Sequence, residues 1–274
     1  MSKLKLAVLD LYEGTANQGM RCIREILQKY AEQIEYQEFD VRCEAELPDL
    51  DFDIYISSGG PGDPRYGDGI WDVKYYEWLQ KVWDFNQQEY NERKKYVFFI
   101  CHSFQMACIH FKVAQVTERK SMSYGTFPLY MTAAGEKEVL FEPLKNPFYI
   151  ADFRRFQVIQ PDLQVLNKMN SEILALEKPR PRIPLERAVM AIRFSKEFFG
   201  TQFHPEADAD GMLIWLKDEE MKKRIVDEHG IKKYEQMIQD LSDPNKIERT
   251  QQAVLPGFLN FSIEALVAEG ILVS

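Results

Sequence analysis

Over the first hundred residues, strand-like apolar runs alternate with stretches whose apolar positions recur every three or four residues. "LKLAVLDLY" (4–12) is a nearly unbroken apolar run closed by Glu13-Gly14, the pattern of a buried strand. Residues 17–33 then place Ile23, Ile26, Leu27 and Tyr30 on one helical face, with Asn17 positioned to cap the first turn. "IEYQEFDV" (34–41) alternates as a strand does. "DFDIYISS" (51–58) reads as another and ends at Gly59-Gly60-Pro61-Gly62. Between 70 and 88, Trp71, Tyr75, Trp78, Val82 and Phe85 recur at steps of four and three, a core-facing helical stripe. "KYVFFI" (95–100) supplies the fourth strand. Strands alternating with helices through short turns predict an α/β fold, a doubly wound, mostly parallel sheet with flanking helices. Ligands in such sheets bind beyond the carboxyl ends of strands, where the loops 57–64 and 100–103 emerge.

From about 113 to 207 the candidates shorten. "FPLYMT", "KEVLFE", "LQVLNK", "EILALE", "AVMAIRF" and "FFGTQF" read as antiparallel additions and closing strands of the same sheet, several of them separated by turn residues such as 133–136 and 195–197. The prolines of 177–184 predict an exposed loop. After 208 the chain becomes helical and charged. The expected organisation is therefore one α/β domain over 1–207 and a helical C-terminal extension packed on it over 208–274.

Composition narrows the function classes. A chain of 274 residues can bury an ample core, and a formal charge of -9 argues against a protein whose main task is gripping nucleic-acid backbone. No apolar run approaches a membrane span, and the opening run is too short for a signal peptide. Cys22, Cys43, Cys101 and Cys108 form neither a disulfide framework nor a zinc-like spacing, so a reduced, cytoplasmic setting without metal or cofactor is expected.

The chemistry concentrates around "FFICHSFQMACIHF" (98–111). Cys101 sits where a buried strand pattern gives way to a helix pattern, the layout of a nucleophile elbow. The helix N-terminus beneath such a sulfur favours the thiolate. A cysteine nucleophile needs a base that a carboxylate orients, and "TQFHPE" (201–206) offers His204 with Glu206 two residues on. The Gly59–Gly62 loop can present backbone N–H groups to an oxyanion beside the amide of His102.

"SSGGPGDP", then a cysteine elbow with Gln105 four residues on, then "QFHPE", resembles the signature set of class I glutamine amidotransferase domains over about residues 4–207. A stand-alone glutaminase similar to that of GMP synthase is the form the resemblance suggests. It implies a flavodoxin-like fold and hydrolysis of the side-chain amide of glutamine, or of a γ-glutamyl compound, through a cysteine thioester. Cys101 would be the nucleophile, His204 the base and acid, and Glu206 its orienting partner. Gly60 and His102 would supply oxyanion amides, and Gly62 and Gln105 would hold the glutamine. Gln157 stands where the family has a histidine. The family elbow reads Gly-x-Cys-x-Gly-His-Gln, whereas here Phe99 and Ser103 replace both glycines. Phe99 implies a shifted turn or a different neighbour. A docked synthase or a second copy of the chain are the partners such a domain would take. Two alternatives stay open. His102 directly after the cysteine is similar to the intracellular-protease-like branch of the superfamily, and a catalytically silent binding relative would share the fold. Residues 64–72, with Tyr66 and Trp71, form a candidate lid over the site, or else a surface loop packed by its own aromatics.

Overall fold

The structure is a computed structural model that describes residues 3–268 except 16, 92 and 182–184; the last three, within the proline-rich 177–184 stretch, and the end of the expected extension lie outside the described residues. Four parallel strands open the fold: β1 (Leu4–Asp10), β2 (Ile34–Asp40), β3 (Ile54–Ser57) and β4 (Tyr96–Ile100). They join β5 (Gln115–Met131), β6 (Phe148–Ile159), β7 (Glu172–Glu177), β8 (Val189–Arg193) and β9 (Phe198–Thr201) in one sheet of order β2-β1-β3-β4-β9-β8-β6-β5-β7. Pairing is parallel from β2 to β9 and antiparallel beyond. β8 also pairs with β7, so the antiparallel end curls back on itself.

The helices cover both faces. α1 (Gln18–Gln28) is capped by Asn17, whose side chain accepts from the Met20 amide, and it buries Ile23, Ile26 and Leu27. α2 (Trp71–Gln87) buries Trp71, Tyr75, Trp78 and Val82 against the opposite face. α3 (His102–His110) follows β4 directly. α4 (Leu163–Met169) lies in the antiparallel half, and α5 (Ala209–Lys217), α6 (Glu219–His229) and α7 (Ile231–Leu241) pack over β5 and β6. α8 (Ile247–Ala268) lies among the sheet's own core: its Val254, Phe258, Leu259 and Ile263 cluster with Leu6, Ile56 and Phe98. Residues 208–268 thus supply helices to both the main core and a smaller cluster beside β5 and β6.

Three segments depart from the pattern-based expectation. "LQVLNK" is helix α4 rather than a strand: Asp162 accepts from the amides of Gln164 and Val165, and Asn170 ends the helix in the left-handed region. "KEVLFE" forms two 3-10 turns, with the Glu138 side chain accepting from the Leu140 amide while Leu140 and Phe141 enter the core. Conversely, the long strand β6 escaped a reading based on apolar alternation. Its inward row is Phe148, Ile150, Asp152, Arg154, Phe156 and Val158, all buried. The two charges that interrupt the row pair with each other, Arg154 Nε lying 3.0 Å from Asp152 Oδ2, and Arg154 Nη2 also reaches Glu177 at 3.0 Å.

The elbow substitutions find their physical explanation across the sheet. Phe99 of β4 stands opposite Gly200 of β9. A Cβ on Gly200 would lie 2.6 Å from Phe104 Cδ2 and 3.3 Å from Phe99 Cβ. Bulk gained at Phe99 is therefore accommodated by a glycine on the adjacent strand, a different neighbour rather than a shifted turn. Ser103 replaces the second glycine and binds the turn together. Its hydroxyl accepts from the Ile100 amide at 2.9 Å and donates to the Ser57 carbonyl at 2.7 Å. Gly200→Ala should then overpack this junction and destabilise the fold by about 1–3 kcal/mol in chemical denaturation; an unchanged midpoint would mean the aromatic cluster has room to spare.

Candidate active site

Cys101 is held at φ 49°, ψ −95°, a strained conformation for a residue with a side chain. Its amide donates to the Thr201 carbonyl at 2.8 Å, and its carbonyl accepts from the Gln105 amide at 3.0 Å. The first bond ties the elbow to β9, and the second starts α3. The sulfur is buried, 3.8 Å from the Phe153 carbonyl and 3.7 Å from Gln202 Nε2.

His204 arrives from the end of β9, its amide donating to the Ala151 carbonyl of β6. Its Nδ1 lies 2.8 Å from Glu206 Oε1, and the Cys101 sulfur lines the same cavity. Burial alone would lower the pKa of this imidazole. The Glu206 carboxylate and the nearby Cys101 sulfur outweigh burial and raise it well above its ordinary value. Glu206 is fully buried, and its Oε2 has no hydrogen-bond partner among the described residues, which concentrates its charge on the imidazole. These groups favour the protonated form of the imidazole. Tyr12, at the end of β1, faces the same charges. Burial, then Glu206 and Cys101, push its phenol well upward, so it stays neutral.

The glycine loop is pinned from behind. Ser58 accepts from the Leu11 amide at 2.9 Å, and a Cβ on Gly60 would sit 2.5 Å from the Leu11 carbonyl oxygen. Arg42 Nη1 donates to the Pro61 carbonyl at 2.6 Å. The same guanidinium lies 4.9 Å over the Trp71 ring and pairs with Glu13 at 3.3 Å. Arg42 was not legible in sequence, because a single arginine after a strand carries no spacing signal.

Cys101, His204, Glu206 and Gly60 open together into a cavity of about 800 Å³. The other candidate residues do not line it. Gln105 is buried behind the elbow, donating from Nε2 to Gln202 Oε1 at 3.0 Å. Gly62, at φ 87°, turns the chain beside Arg42. Gln157 lies on β6 and accepts from Arg119 at 3.0 Å, away from the cavity. The His102 ring is buried and neutral: burial, then the Arg42 charge, lower its pKa to about 3, against a smaller opposing pull from Asp63. Of the candidate lid, Tyr66 is 72% exposed and Trp71 is 4% exposed beneath Arg42, and neither borders the cavity. Phe153 on β6 and the start of α5, including Met212 and Trp215, form its far wall. Phe153 would have been found had Asp152 and Arg154 been read as inward-facing.

The sequence pattern of the family described as glutamine amidotransferase class-I matches residues 7–212. The chain belongs to that family. Solved structures similar in fold include a glutamine amidotransferase from Thermotoga maritima, 14% identical over 97% of this chain and 99% of that one, TM-score 0.61. A protein from Thermoplasma acidophilum described as one subunit of a GMP synthase is 16% identical over 81% and 99%, TM-score 0.55. The glutaminase domain of a Trypanosoma brucei CTPS with bound acivicin is 17% identical over 74% and 86%, TM-score 0.52. No curated protein matches the chain. Among the described residues no helix is long and apolar enough to cross a membrane.

The electrostatics of this class-I amidotransferase site can be tested directly. His204 should remain protonated above the ordinary imidazole value of 6.5, and Glu206→Gln should lower its titration midpoint, as read by ring-proton NMR. Because the folded pKa is raised, the pair's contribution to stability is fully present below the unfolded value and lost as pH rises through the folded one. An identical midpoint in Glu206→Gln would show that the carboxylate does not hold the proton.

Proposed function

We propose that the protein is a cysteine-dependent amidohydrolase that cleaves the side-chain amide of glutamine, or of a γ-glutamyl compound, through a thioester on Cys101. The observation that carries this reading is the strained cysteine sharing one cavity with a histidine whose Nδ1 a buried carboxylate holds at 2.8 Å. In it, the Cys101 thiolate attacks the amide carbon, and the developing oxyanion meets the amides of Gly60 and His102. The His102 amide is the first of α3 and needs no intrahelical partner. His204 gives its proton to the departing nitrogen as the carbon–nitrogen bond breaks, releasing ammonia or an amine. Neutral His204 then takes a proton from water, whose oxygen attacks the thioester. Glutamate leaves, and the sulfur–imidazolium pair is restored.

The geometry weighs against the protease-like alternative. That reading needs the histidine next to the nucleophile, yet the His102 ring is buried, neutral and absent from the cavity lining. It weighs equally against a silent relative, since a binding scaffold has no use for a strained cysteine at a cavity floor. Where glutamine itself is the substrate, a docked synthase is the partner this reading favours, since the family feeds ammonia to synthases. Gln105 and Gln202 act here as the support behind the sulfur, with Gln202 Nε2 aimed at it. Arg42 sets the height of the oxyanion loop through Pro61.

Incubation with a glutamine-mimicking diazo ketone should add a single adduct to the wild type and none to Cys101→Ala, as read by intact mass. Labelling that persists in the variant would remove Cys101 from the chemistry. Arg42→Met should lower kcat by about 10–100-fold with a smaller change in KM, because the loop that receives the oxyanion is displaced while the cavity stays open.

A further inference from the structure

The catalytic groups occupy one end of a cavity that has room for much more than a glutamine side chain. At about 800 Å³ it lies in the upper part of the range that holds drug-sized ligands. Its walls differ in character. The β1–α1 loop and the start of α1 offer Thr15, Asn17 and Gln18, whereas β6 and α5 offer Phe153, Met212 and Trp215. Phe153 and Trp215 meet edge to face with ring centroids 4.6 Å apart, and the Phe153 ring lies 6.1 Å from that of His204. His204 protonates the nitrogen that departs, so whatever that nitrogen carries lies on the His204 side, against these aromatic rings.

Three carboxylates border the cavity: Glu206, and Asp208 and Asp218, which cap the starts of α5 and α6. Asp208 accepts from Arg21 at 2.7 Å and from the Gly211 amide at 2.7 Å. Asp218 accepts from the Met221 amide at 3.0 Å, capping α6. Trp215, at the heart of this wall, also lies beyond residue 212, where the family-wide pattern ends.

We propose that the preferred substrate is a γ-glutamyl amide of an arylalkyl amine, its ring held against Phe153, Met212 and Trp215. The inference rests on the hydrolase reading above and adds the leaving group to it. The overall step consumes one water: the amide carbon–nitrogen bond breaks, the nitrogen takes the His204 proton and leaves as the arylalkyl amine. Water completes glutamate and returns the proton to His204.

Protection against diazo ketone labelling of Cys101 tests this without requiring turnover. γ-Glutamyl benzylamide and γ-glutamyl methylamide share the same amide chemistry and differ by a phenyl ring. The benzylamide should protect at about tenfold lower concentration, the gain expected from burying one ring. Trp215→Ala should bring the two within about threefold of each other, and Trp215→Phe should keep most of the difference. Equal protection by both amides in the wild type, or an undiminished difference in Trp215→Ala, would overturn the aromatic leaving-group assignment and leave the hydrolase reading standing. Absence of labelling in the wild type would overturn both.

Discussion

A backbone turned to φ 49° at Cys101 is the constraint around which the molecule is built. A residue with a side chain reaches that conformation at a cost of about 1–3 kcal/mol, so the surroundings must hold it there. They do so on three sides. β9 accepts the Cys101 amide through Thr201, α3 begins on its carbonyl, and Ser103 clasps the ends of β3 and β4 through one hydroxyl. The cost is repaid in geometry: the sulfur stands clear of the sheet, at the N-terminus of a helix, facing the one histidine that arrives from β9.

The position of that glycine-poor elbow shows how a fold conserves space rather than residues. With Phe99 before the cysteine and Phe104 after it, the close approach of strand and helix would fail unless another atom gave way. Gly200 is that concession, opposite Phe99 in register and beneath the Phe104 ring. The same logic governs the charge. A buried Glu206 would be costly alone, and it is balanced by a His204 whose raised pKa keeps a proton beside both the carboxylate and the sulfur. Stability and reactivity therefore rest on one arrangement.

The sequence made the first half of the sheet plain, because β1, β3 and β4 are buried on both faces and read as apolar runs, and the Asn17 cap marks α1 by chemistry alone. The motif residues Gly60, Cys101, His204 and Glu206 were likewise legible, and the fold brings all four to one cavity. What local pattern could not show depends on distant neighbours. β6 hides an ion pair on its inward face, α4 owes its helix to Asp162 and Asn170 rather than to its Leu-Val alternation, and Arg42 gains meaning only when Trp71 and Pro61 fold around it. Gln105 and Gln157 illustrate the reverse: positions matched by motif whose side chains the fold engages elsewhere.

The central claim is that glutamine chemistry passes through a covalent bond to Cys101. Rapid mixing with glutamine, acid quenching within the first turnovers and peptide mass analysis address it most directly. The account predicts a γ-glutamyl mass on the peptide that carries Cys101, absent from Cys101→Ala and cleared by hydroxylamine as a thioester is. Glutamate and ammonia formed with no covalent species on that peptide, or with one on Cys22 or Cys108 instead, would contradict it.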